Sequence, residues 1–318
     1  MIKKQFVFPT RGIAQKDLKS SAMLYMPKDP KGVYIIHHGT IFTNDMTPTN
    51  NSIIYDAIAK LFTQKGYIAV FPDYIGFGIS YKTHFHPYLH KETLARNSFD
   101  LLEYLFEKNM IDDDMKIFSA GYSEGGFASL AFVELTQQHG IVLDSFSGAA
   151  PYNLTKNLHH LLENRIYKYP EYIAYIAYAY EKAYKLEGLV ANLFKKIYAN
   201  LTYQAFENRY SFERVHRIYP KEISRLFNLD FLQQDSTLLN DFKAKLKENS
   251  LHTFIPLGKT TLFSAKKDEI VNVKNSLEMY ENLKKANVSN VKLVIDEEET
   301  ASHFGSYAKF LKIVYNSL

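Results

Sequence analysis

Gly121-Tyr122-Ser123-Glu124-Gly125 is the stretch that most limits what this chain can fold into. Ahead of it, Ile117 and Phe118 lead into small Ala120, as in a short buried strand. Behind it, Phe127, Ala128, Leu130, Ala131, Phe132 and Leu135 have the spacing of a helix packed on that strand. G-x-S-x-G between a strand and a helix is the pattern of a nucleophile elbow, a turn so tight that the serine is strained and its Oγ exposed. Side chains two residues either side would collide, hence Gly121 and Gly125, while Gly126 lets the helix sit close to the sheet. The helix N-terminus also aims N–H groups at any oxyanion formed beside Ser123. A chain of this length matches the bare pattern by chance with a probability of about 0.1. The weight therefore falls on context.

That context is an alternation of strands and helices. Residues 5–9 and 22–26 read as an antiparallel pair at a sheet edge, split by a polar turn with Gly12. Residues 33–36 form a stronger, buried strand running into His37-His38-Gly39-Thr40. Residues 50–64 carry a helical face of Ile54, Ala57, Ile58, Leu61 and Phe62, closed by Gly66. A buried strand at 67–71, a long helix at 89–108, the elbow and a strand at 144–149 continue the rhythm. It breaks between residues 154 and 251, which show helical segments and no convincing strand. It resumes with a strand at 260–264, a helix at 274–286, a strand at 291–295 and a last helix from Ser306. This order implies right-handed βαβ units in a mostly parallel sheet. The helical interruption reads as a cap over the sheet's carboxyl edge, where sites in open α/β sheets lie. The expected division is 1–150 and 255–318 for the α/β core and 151–254 for the cap.

A serine nucleophile needs a base, and the base an orienting carboxylate, in the chain order Ser, Asp or Glu, His. Asp268 and His303 both follow strand ends on the elbow's edge of the sheet, and His303 alone of the 11 histidines lies between the last strand and the last helix. Free imidazole, with a pKa of roughly 6.5, can take a proton from Ser123 near neutrality. Asp268 is the favoured acid, with Asp296 and Glu269 behind it; Asp296 opens a run of four acids that suits solvent better than an imidazole. The oxyanion hole is expected to combine the Glu124 and Thr40 amides, with Gly39 permitting close approach.

Composition excludes several other chemistries. All 318 residues lack cysteine, so there is no thiol nucleophile, disulfide or thiolate metal site. His37 and His38 would point to opposite faces of a strand, and the better-spaced His84, His86 and His90 have no converging carboxylates, so no metal or other cofactor is expected. A net charge of +4 with interspersed lysine and glutamate shows no basic stripe for nucleic acid. No apolar run is long enough to span a membrane. Met1-Ile2-Lys3-Lys4 looks like a signal n-region, but no apolar stretch follows in residues 5–19. The expectation is a cytoplasmic protein, or an exported one had a signal been trimmed.

With these residues in view, the chain resembles the α/β-hydrolase superfamily from Val33 to the C-terminus, apart from the cap. More narrowly it is similar to carboxylesterases of the secretory-lipase type. The carrying segments are His38-Gly39-Thr40, residues 71–78 with His86-Pro87-Tyr88 downstream, the elbow, and Gly148-Ala149-Ala150-Pro151-Tyr152. The resemblance implies hydrolysis of a small ester or lipid by an acyl-enzyme route without cofactor, with Ser123, Asp268 and His303 as triad. The same triad could serve a peptidase or an acyltransferase, and the same fold a non-catalytic binding protein. Tyrosines crowd residues 167–180, and a helix apolar on all sides must be covered on more than one face. Tyr172, Tyr175 and Tyr178 are therefore expected in the acyl-binding wall; the competing expectation is the cap's own core or a homodimer contact.

Overall fold

The computed structural model describes residues 1–14, 17–163 and 165–318, leaving aside the side chains of residues 52 and 160–162. Eight strands form one sheet: β1 (Ile2–Thr10), β2 (Leu18–Met26), β3 (Gly32–His37), β4 (Ile68–Pro72), β5 (Lys116–Tyr122), β6 (Asp144–Gly148), β7 (Thr260–Ala265) and β8 (Val291–Asp296). Their order is β1-β2-β4-β3-β5-β6-β7-β8. β2 pairs antiparallel with β1 and β4, and every pairing from β4 to β8 is parallel. Every residue of β3 and β4 is buried, as covering on both faces demands, and their sequences are near-continuous apolar runs. β1, at the edge, instead buries only Phe6, Phe8 and Thr10 in alternation. The lysine-rich, signal-like start of the chain is thus part of this edge strand.

Helices α1 (Ser52–Thr63), α2 (Lys91–Glu107) and α3 (Glu124–Gln138) follow β3, β4 and β5. Two cores result, one on each face of the sheet. One includes Leu101 of α2 and Leu130 of α3; the other joins Tyr55 and Phe62 of α1 to Tyr34 and Phe118 of the strands. The neighbouring carboxyl ends of β3 and β5 stay paired to His37 and Gly121, but the chain leaves β3 toward one face and β5 toward the other, the arrangement that opens a crevice beyond the strand ends. Helix α1 departs from the expected phase. It buries Tyr55, Ala59 and Phe62 and leaves Ala57 exposed and Ile54 half exposed. Two adjacent apolar faces compete on this helix, and the aromatic one wins the core.

Between β6 and β7 the chain forms α4 (Leu154–Glu163), α5 (Glu171–Tyr184), α6 (Leu189–Leu193), α7 (Lys196–Glu207), α8 (Phe212–Ile218), α9 (Ile223–Leu226), α10 (Leu229–Gln233) and α11 (Thr237–Glu248). Among the described residues its only β pairings are the isolated bridges Ile166–Glu222 and Phe194–Phe227. α5 starts just after Pro170, whose fixed φ and missing N–H suit a helix start and stop its extension backward. This helical segment rests on the loop after β4. Tyr180 Oη donates to the Leu89 carbonyl at 3.0 Å, and Arg209 to that of His84 at 2.6 Å. The chain ends with α12 (Lys274–Lys285), packed beside β7 and β8, and α13 (Tyr307–Asn316), packed beside β5 and β6.

Candidate active site

Ser123 sits at the carboxyl end of β5 with φ 59° and ψ −125°, between the strand and α3. Both flanking glycines are sterically required: a Cβ on Gly121 would run into the Gly125 carbonyl, and one on Gly125 into the His37 carbonyl. The Ser123 amide donates to the Gly148 carbonyl at 2.8 Å, which ties the turn to β6. The half-buried Ser123 Oγ lies 2.9 Å from His303 Nε2, and His303 Nδ1 lies 2.7 Å from Asp268 Oδ2. With Nδ1 donating to the carboxylate, Nε2 keeps a lone pair for the serine hydroxyl.

Each partner is held in turn. Tyr122 Oη donates to the His303 carbonyl at 2.7 Å, and the His303 amide donates to Glu269 at 3.1 Å. The other Asp268 oxygen accepts the Ile270 and Val271 amides at 2.9 and 2.7 Å, an Asx turn that fixes the carboxylate. Asp268 and His303 are both buried. The other candidate acids are engaged elsewhere. Asp296 accepts from Ser306 Oγ and Lys309 Nζ, both at 2.8 Å. Burial pushes the Asp296 pKa up, but the bonds from Lys309 and Ser306 outweigh this and hold it below the ordinary value. Glu269 meets the backbone of His303, not its ring.

Beside Ser123 lies a cavity of about 260 Å³, walled on one side by Ile36, Tyr55, Ile58 and Phe71 and reached by Gly39 and Thr40. The amides of Thr40 and Glu124 have no acceptor among the described residues. The wall from α1 is a feature that sequence reasoning misses: Ile54 and Ile58 of its aliphatic face line the cavity beside Tyr55, and periodicity alone does not say that this face meets the site. Of the three tyrosines expected in the wall, Tyr172 lines the cavity together with Phe304. Tyr175 and Tyr178 do not. Tyr175 stacks on Phe206 and Tyr88 at 4.4 and 4.5 Å, and Tyr178 packs on Phe206 at 5.4 Å. They turn inward because the i, i+3 spacing carries each further round α5, into the aromatic interior of the helical segment. The three histidines of the β4–α2 loop diverge: His86 meets Glu124, His90 caps α2, and His84 contacts Thr83. Among the described residues no group of His, Asp or Glu has the convergence a metal ion needs.

A family model for secretory lipases matches residues 46–309, which include Ser123, Asp268 and His303. No curated protein matches the chain. Among solved structures, a Legionella pneumophila protein assigned to the hydrolases is similar at 23% identity and a TM-score of 0.87, over 99% of this chain and 87% of that one. The rice cell wall degrading esterase LipA of Xanthomonas oryzae follows at 20% identity and TM-score 0.84, over 99% and 90%. Candida antarctica lipase A in its closed state is similar at 15% identity and TM-score 0.76, over 99% and 78%. At these identities the likeness is one of fold, the α/β-hydrolase fold, and it is the match across residues 46–309 that assigns the family. The chain belongs to the secretory lipases and is a carboxylic ester hydrolase.

Proposed function

We propose that Ser123 is the nucleophile of this hydrolase, His303 its general base and acid, and Asp268 the group that orients His303. The reading is carried by one observation, the unbroken hydrogen-bonded chain from Ser123 Oγ through His303 to Asp268 on the floor of a cavity. His303 Nε2 takes the hydroxyl proton as Ser123 Oγ attacks the ester carbonyl. The tetrahedral oxyanion is met by the Thr40 and Glu124 amides. Collapse expels the alcohol, which receives the proton from His303, and leaves an acyl-serine. Water, deprotonated by His303, then attacks the acyl carbon and releases the acid with Ser123 restored. No step calls for a cofactor.

The helical segment, residues 151–254, serves in this reading as a cap whose Tyr172 roofs the acyl cavity, between core parts 1–150 and 255–318. Among the described residues no helix is long and apolar enough to cross a membrane. Export is the compartment the family favours, and the cytoplasmic expectation drawn from the amino terminus gains no support from it. A fluorophosphonate probe tests the reading directly. The expected result is one adduct on Ser123 with loss of ester hydrolysis; an active protein that takes no label would overturn it.

A further inference from the structure

We propose that His86-Pro87-Tyr88 is a clamp that positions both oxyanion donors at once, His86 through the side chain of Glu124 and Tyr88 through that of Thr40. The inference rests on the reading above, in which the amides of those two residues receive the oxyanion. Glu124 is the first residue of α3, directly after Ser123, and its carboxylate is buried instead of facing solvent. Oε1 lies 2.7 Å from Nε2 of His86, whose side chain is also fully buried. Tyr88 Oη lies 3.0 Å from Thr40 Oγ1. One tripeptide thus reaches the two segments that supply the hole, residues 38–40 after β3 and the first turn of α3.

The hydrogen-bond chemistry of the pair is restricted. His86 Nδ1 is 2.9 Å from the Ile75 carbonyl, which can only accept, so Nδ1 carries a hydrogen. One further proton must then lie between Nε2 and the Glu124 carboxyl, and in either arrangement the pair is neutral overall. That suits its place. A lone buried carboxylate at residue 124 would oppose the negative charge that develops beside Ser123, whereas a neutral pair fixes the amide without opposing it.

The clamp is itself braced from both layers of the molecule. His86 lies against Phe77 at 4.8 Å and Tyr74 at 5.9 Å, and Tyr74 Oη donates to the His38 carbonyl at 3.1 Å, in the loop that leads to Thr40. Gly76, at φ +87°, allows the His86 backbone to close over it, where any Cβ would collide. From the other side Tyr88 stacks on Tyr175, and Tyr175 on Phe206. Tyr175 therefore supports the oxyanion hole from behind instead of lining the acyl wall.

The test is ester kinetics together with the affinity of a trifluoromethyl ketone, which adds to Ser123 as a hemiketal oxyanion and so reports on the hole itself. Removing one oxyanion donor outright costs about 10²–10³ in kcat, so a displaced donor is expected to cost less. Glu124→Ala should lower kcat about 10- to 100-fold and weaken the ketone by the same factor, with KM nearly unchanged. Tyr88→Phe, which deletes only the hydroxyl, should move kcat and ketone affinity together by about fivefold. Glu124→Gln should recover most of the activity, because its amide N–H can donate to Nε2 of neutral His86. Wild-type kcat and ketone affinity in Tyr88→Phe and Glu124→Ala would overturn the clamp. So would a Glu124→Gln enzyme as impaired as Glu124→Ala. If Glu124→Ala does not fold, Tyr88→Phe and Glu124→Gln decide. Fluorophosphonate labelling separates the two readings: an unlabelled wild type overturns the nucleophile assignment, and the clamp with it. Full labelling with unaffected variants overturns the clamp alone.

Discussion

Ser123 occupies a positive-φ backbone conformation that a non-glycine residue adopts only under constraint, and here the Gly148 carbonyl and the two flanking glycines supply it. Nothing in that constraint needs the hydroxyl. Ser123→Ala is therefore expected to keep the melting temperature while kcat falls by about 10⁴–10⁶, and His303→Ala to do comparable damage because the two act as a unit. Activity within tenfold of wild type in either variant would remove the assignment. The acids separate in the same way. Asp268→Asn keeps the Asx turn but presents an amide that misdirects the imidazole, and about 10³–10⁴ in kcat should be lost. Asp296→Asn disturbs contacts to Ser306, Lys309 and the Glu298 amide, none of them in the chain from Ser123 to Asp268, and ester hydrolysis should be spared. A reversed pair of results would exchange the two roles.

At the scale of elements, α5 distributes its tyrosines between two jobs. Tyr172 faces the cavity, so Tyr172→Ala should alter the ratio of kcat/KM between short and long acyl esters, a lost pocket contact counting for roughly 1–3 kcal/mol. Tyr178 is packed among aromatics of the helical segment, so Tyr178→Ala should lower the melting temperature and leave that ratio alone. Helix α2 carries a pH-dependent cap. The N-cap His90 accepts from the Thr93 amide through Nδ1, and burial lowers its pKa to about 4 from an ordinary 6.5. Above 6.5 both folded and unfolded chains are neutral there. As pH falls from 6.5 towards 4 only the unfolded chain takes the proton, so up to about 3 kcal/mol of stability is lost across that window. His37, lowered by burial to about 3, slopes the same way. His90→Asn, a cap that does not titrate, should shrink the drop in melting temperature between pH 7.5 and 5. An equal drop in both proteins would place the titrating group elsewhere.

For the whole molecule, the cavity volume limits the substrate. About 260 Å³ beside Ser123 is below the ~300–1,000 Å³ common for small-ligand pockets, and it is roofed by Tyr172 and Phe304. In a p-nitrophenyl ester series, kcat/KM should be highest for short acyl chains and fall for palmitate; a palmitate optimum would mean that the roof opens in use. What the order of residues determines by itself is local in origin. The elbow needs glycine at position 121 because a Cβ there would meet the Gly125 carbonyl four residues on, and the alternation of apolar runs sets strands and helices in order. Asp268 and His303 are legible because each follows a strand end, and parallel strands bring their ends to one edge. The helical segment is visible as a lapse in that alternation. Tertiary packing alone decides which face of α1 enters the core, since two adjacent apolar faces of a helix differ by a fraction of a turn, and that residues of both faces reach the cavity. It also decides that Tyr175 and Tyr178 turn inward, and that His86 meets a glutamate 38 positions away. Sterics between near neighbours are written in the sequence they belong to. A buried contact between distant segments exists only once the sheet has fixed where each of them ends.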